Sequence, residues 1–129
     1  MTNRFAVRTE LAPKASGPYS QAIVSDNLIF TAGQIPIDPA TGKLVTGDFK
    51  ERVMQVLRNV NGILSGAGSS LDCAVKLTVY MTDLSKLGEL NQVLRRLFKD
   101  EPPARTSVEV SRLPLGADIE IDCIAVVRG

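Results

Sequence analysis

The chain has 129 residues, 44% hydrophobic and 22% charged, enough to bury a core without metal or disulfide staples. Its 15 Lys and Arg against 14 Asp and Glu leave a formal charge of +1, without the basic footprint of a dedicated nucleic-acid or membrane-surface binder. There is no histidine, which excludes Ser-His-Asp and Cys-His nucleophile systems, a histidine base and histidine metal ligands.

Residues 5–9 give a weak strand signal. Residues 20–24 and 28–34 flank the turn Ser25-Asp26-Asn27 and read as a hairpin, with a Gly- and Pro-marked loop at 38–42. Asp48 suits a helix N-cap, with Glu51 three residues on. Phe49, Val53, Val56, Leu57, Val60, Ile63, Leu64 and Ala67 then fall on one helical face, and Gly66 and Gly68 end it. Val75, Leu77, Val79 and Met81 alternate with Lys76, Thr78 and Tyr80, the pattern of a half-buried strand. Asp83 can cap a second helix with the stripe Leu84, Leu87, Leu90, Val93, Leu94, Leu97 and Phe98, closed by Pro102-Pro103. Two strands, 105–111 and 118–127, follow around Pro114-Leu115-Gly116. The order β-β-β-α-β-α-β-β predicts one α+β domain over residues 1–129, a two-layer fold with both helices on one face of the sheet.

If the last two strands form a hairpin, parity assigns their faces. The apolar sets Thr106, Val108, Val110 and Ile119, Ile121, Cys123, Ala125, Val127 turn to the helices. Arg105, Ser107, Glu109, Glu120 and Asp122 then share the opposite face, together with Ile124 and Val126. Such a mixed face points to cover by another subunit.

Cys73 and Cys123 are too few for a zinc site and read as small apolar fillers in a reducing compartment. Residues 1–10 lack the apolar core of a secretory signal, and no apolar run of about 18 residues exists to span a membrane. A cytoplasmic location is expected. Gly62, Gly66 and Gly68 do not sit between a strand and a helix start, so no phosphate-binding loop is present. The candidate constellation is Arg105 and Glu120 with Tyr19, Thr31 and Asn91. An arginine on a strand presents a fork that matches a carboxylate, and a nearby glutamate can hold a water. By residue type alone each also has an ordinary explanation: a strand-edge ion pair, a solvated carboxylate, a packed tyrosine, a capping asparagine.

Gly17-Pro18-Tyr19-Ser20-Gln21-Ala22, Ala32-Gly33-Gln34-Ile35-Pro36, Pro103-Ala104-Arg105-Thr106-Ser107-Val108-Glu109-Val110, Leu113-Pro114 and Ile119-Glu120-Ile121 together resemble the reactive intermediate deaminase (Rid) family over nearly the whole chain. The resemblance implies a chorismate-mutase-like α+β fold, a homotrimer with a ligand cleft at each subunit interface, and no cofactor or metal. It implies hydrolysis of 2-imino acids, formed from 2-aminoacrylate and related enamines, to 2-keto acids and ammonia. By position, Arg105 matches the clamp on the substrate carboxylate and Glu120 the holder of the water. Tyr19 and Asn91 match cleft-lining residues. Gly33 matches a backbone approach to the ligand, beside Thr31 and Ala32, and Ser107 a main-chain contact to the carboxylate. Many members carry Ser at the position of Ala32, Cys at that of Ser107 and Phe at that of Pro102. Two other classes compete: a non-catalytic metabolite binder or holdase, and an RNA-directed translation inhibitor or ribonuclease, which the charge and the scarcity of aromatics disfavour.

Overall fold

Alternating apolar residues build most of the sheet, and two amphipathic helices cover it. The computed structural model describes residues 3–128. The strands are β1 (Arg4–Val7), β2 (Ala22–Ser25), β3 (Leu28–Thr31), β4 (Ile37–Asp38), β5 (Lys43–Leu44), β6 (Ala74–Met81), β7 (Ala104–Glu109) and β8 (Ile119–Val126). The helices are α1 (Phe49–Gly66) and α2 (Leu87–Leu97). Six strands form one mixed sheet in the order β1-β2-β3-β8-β6-β7; β4 and β5 pair separately, on either side of the loop expected at 38–42.

In β8 every second residue, Ile119, Ile121, Cys123 and Ala125, is buried, and in β6 Leu77, Val79 and Met81 are. These pack in one cluster with Val53, Val56, Leu57, Val60, Ile63 and Leu64 of α1 and Leu90, Val93 and Leu94 of α2. Both helices therefore lie on one face, as the periodicity predicts. Asp48 caps α1 by accepting the Glu51 N–H at 2.9 Å.

The second helix starts later than expected. Asp83 caps a 3-10 turn, Leu84–Lys86, by accepting the Ser85 N–H, and the α-helix follows from Leu87. The tighter turn rotates Leu84 off the stripe, leaving it 37% exposed, and Leu97 at the helix end is 38% exposed, so neither joins the core.

The terminal hairpin is not formed. Strand β7 pairs parallel with β6, because α2 supplies the crossover that parallel neighbours need, and β8 lies between β3 and β6. This reverses the parity assigned to β7. Arg105 stands opposite Leu77, Ser107 opposite Val79 and Glu109 opposite Met81, so these three face the helix layer. Thr106 and Val108 share the other face with Glu120 and Asp122, which stand opposite Tyr80 and Thr78. Side-chain bonds agree: Arg105 Nη1 donates to Asn91 Oδ1 of α2 at 2.7 Å, and Lys76 Nζ reaches Thr106 Oγ1 across the open face at 2.7 Å. Arg105 and Glu120 thus lie on opposite faces of the sheet, not on one.

Candidate functional site

A bulge places the first half of the site. The register of β3 on β8 pairs Phe30 with Ile124, yet the next pairing is Gln34 with Ile121. Residues 31–33 therefore stand against only two residues, 122 and 123, and the ladder opens. Its freed groups are satisfied locally. The Thr31 hydroxyl accepts the Cys123 N–H at 3.0 Å, the Ala32 N–H goes to Gln21 O at 2.8 Å, and Gln34 and Ile121 exchange bonds of 2.9 and 3.1 Å.

The bulge brings Gly33 under Glu120. A Cβ on residue 33 would collide with the Glu120 carboxylate, so only glycine lets that carboxylate lie across the backbone. Burial, reinforced by the charge of Asp122, pushes the Glu120 carboxyl above its ordinary value of 4.5. The Tyr80 hydroxyl donates to Asp122 Oδ2 at 3.0 Å, which keeps Asp122 oriented beside Glu120 on the same strand face.

The facing wall is the segment after β1, held by one buried amide. Gln21 Oε1 accepts the Thr9 N–H at 2.8 Å, and its Nε2 donates to Thr9 O at 3.0 Å and Pro13 O at 2.8 Å. Tyr19, 52% exposed, is steadied by its hydroxyl against Ser16 N at 3.2 Å. Tyr19, Ala32, Gly33 and Glu120 line one cleft of about 1230 Å³, with Leu11 and Leu115 among its apolar neighbours.

The second half lies on β7, an edge strand. Arg105 is exposed, bonded to the neutral Asn91 amide, and among the described residues no carboxylate pairs with it. Two residues along, the buried Ser107 Oγ has no hydrogen-bond partner among the described residues. The guanidinium, bonded only to a neutral amide, keeps donors free for an acceptor, whereas the Ser107 Oγ is closed to solvent in the single chain.

Of the residues singled out from sequence, the structure brings Tyr19, Ala32, Gly33 and Glu120 together in the cleft, and Arg105, Asn91 and Ser107 together at the sheet edge. It does not join the two groups within one chain. Thr31 belongs to neither, since its hydroxyl closes the bulge. Sequence reasoning passed over Gln21 and Asp122. Gln21 stands in the Gly17-to-Ala22 motif and Asp122 two residues after Glu120, so same-face spacing was the available signal. Both cysteines are free: Cys123 is buried in the core, its thiol pushed up to about 12 by burial, and Cys73 packs against the core. Among the described residues no group of three His, Cys, Asp or Glu is placed to hold a metal, and no helix is long and apolar enough to cross a membrane.

Comparison with known proteins places this architecture. The model of a family described as Endoribonuclease L-PSP matches residues 9–127. A RutC family protein of Pyrococcus horikoshii is 52% identical over 117 residues, covering 91% of this chain and 93% of its own length. The human 2-iminobutanoate/2-iminopropanoate deaminase is 40% identical over 123 residues, covering 95% and 90%. Among solved structures, Escherichia coli TdcF with bound serine superposes with a TM-score of 0.90 at 36% identity, covering 96% of this chain and 99% of that one.

Proposed function

The chain belongs to the Endoribonuclease L-PSP family, which holds the Rid proteins, and on that premise we propose that it hydrolyses 2-imino acids to 2-keto acids and ammonia. The observation that carries the reading is the division of the site. A desolvated carboxylate lies in a cleft on one face, and an unneutralised arginine waits on the edge strand. Each half lacks what the other supplies.

In this reading the protein is a homotrimer, and β7 of one copy closes the cleft of its neighbour. The open face of the sheet supports such an assembly, because it carries Phe30 and Val108, 40% and 38% exposed, beside the half-buried Ile23 and Ile124. Arg105 grips the substrate carboxylate, with Asn91 holding the guanidinium plane and the main chain at Ser107 adding a contact. Glu120 orients a water and takes its proton as the oxygen attacks the imine carbon. The C=N bond becomes a C–N single bond in a carbinolamine. Glu120 then returns the proton to the nitrogen, which arrived as the protonated imine, and takes the hydroxyl proton as the C–N bond breaks, ammonia leaves and the C=O bond forms; that last proton passes through solvent to the ammonia. Fixing two reactants and moving one proton suffices for so electrophilic a carbon, and no cofactor takes part. The free thiols support a reducing, cytoplasmic setting.

The test generates imines enzymatically from amino acids and traps them with semicarbazide. The protein is expected to lower the trapped signal, and Arg105→Ala to lose about tenfold to a hundredfold in kcat/KM, the worth of a charged hydrogen-bonded clamp. Because Arg105 is exposed, the variant should fold as the parent does. Full turnover by Arg105→Ala would overturn the reading.

A further inference from the structure

Leu115 occupies the 3-10 turn Pro114–Gly116 that leads into β8, with φ of 57° and ψ of 19°. Left-handed backbone is costly for any residue with a Cβ, and glycine or asparagine is the usual occupant. The side chain is 70% exposed, more than any other large apolar residue among the described residues. Leucine therefore suits neither the backbone nor the solvent at this position.

The turn is firmly mounted. Its Gly116 N–H reaches Leu113 O at 3.3 Å and the Ala117 N–H reaches Pro114 O at 3.1 Å. Ala117 is buried, and the next residue, Asp118, is ion-paired to Arg52 at 2.6 Å. Leu115 is thus presented from a fixed base on the wall of the cleft that holds Glu120, near Leu11, Ile35 and Pro39. Strained backbone kept under a side chain that lines a cleft marks a position retained for its side chain.

We infer that Leu115 is a specificity-determining residue, an apolar wall that reads the substituent on the imine carbon and favours aliphatic side chains over polar or charged ones. The inference rests on the imine hydrolase reading and names the part of the site that selects among its substrates.

The experiment compares wild type, Leu115→Asn, Leu115→Gly and Leu115→Met in the trap assay with imines derived from 2-aminobutanoate, leucine and glutamine. Calorimetry with 2-oxobutanoate, 4-methyl-2-oxopentanoate and 2-oxoglutaramate gives the matching affinities. The Asn and Gly variants should lose about tenfold of the preference for the leucine-derived over the glutamine-derived imine, and Met should keep it. Neither Asn nor Gly should lower Tm, since both residues accept the left-handed conformation. An unchanged ratio, a uniform loss across all substrates, or dissociation of the oligomer overturns the assignment. Absence of wild-type turnover overturns the hydrolase reading instead, and the keto-acid affinities then decide on Leu115. An aliphatic preference that vanishes in Leu115→Asn upholds its role, and no preference refutes it.

Discussion

Replacing Gly33 by Ala inserts a methyl group where the Glu120 carboxylate lies. The added Cβ would stand 2.8 Å from Glu120 Cδ and 3.0 Å from Cγ. Carbon atoms rest at about 3.5–4.0 Å, so the glutamate must retreat by roughly 1 Å. The φ of Gly33 is outside the left-handed region, so alanine strains no dihedral. The obstacle is a flexible side chain, and Tm should move by no more than about 4 °C, the equivalent of about 1 kcal/mol. Activity should suffer far more, because a displacement of about 1 Å in a reacting group can cost about a hundredfold. The assay is imine trapping with Gly33→Ala, Glu120→Gln and the double variant. Since the alanine acts through Glu120, the double variant should be no worse than Glu120→Gln alone. Full activity in Gly33→Ala, or losses that multiply in the double variant, would refute the coupling between the bulge and the carboxylate.

If Glu120 is the base of the proposed reaction, its burial should set the acid limb of the pH profile, with activity falling as pH drops through a carboxyl value held above the ordinary one. Asp122→Asn removes the charge that adds to that rise and should shift the limb to lower pH, while burial keeps it above the ordinary carboxylate range. The same shift bears on stability. The raised carboxyl favours the folded state below its unfolded pKa, and that contribution is lost as pH climbs through the folded value. Glu120→Gln should therefore match or exceed wild-type Tm at neutral pH while losing turnover. Thr31→Val leaves the Cys123 N–H without its acceptor and should cost about 1–3 kcal/mol in denaturant unfolding, with KM unchanged. A changed KM at unchanged stability would return Thr31 to the ligand.

Local patterns carried most of the fold. The face of α1 and the alternation in β6 and β8 can be read residue by residue, because burial on one face imposes a period on the sequence itself. The neighbours of each strand cannot be read this way. Arg105, Ser107 and Glu109 alternate with Thr106 and Val108 in a strand exposed on both faces, so its apolar residues misreport the core side. Only the pairing with β6, across a helical crossover, sets the true orientation. The bulge was hidden for a similar reason: 28–34 has the composition of one continuous strand, and the extra residue shows only against β8. The site residues were legible as chemical types through the family motifs, and Tyr19, Ala32, Gly33 and Glu120 do gather. That Arg105 and Glu120 lie on opposite faces depends on contacts remote in sequence, and no local signal carries it.

The account stands on the claim that one copy supplies Arg105 and another Glu120. Arg105→Ala and Glu120→Gln proteins, each expected to keep no more than about a tenth of wild-type turnover alone, can be mixed, unfolded and refolded together, and the turnover of the mixture measured. In a cyclic trimer each mixed assembly contains one intact site, so an equal mixture should recover about one quarter of wild-type activity. Mixed trimers that form but show no recovered turnover would contradict the claim.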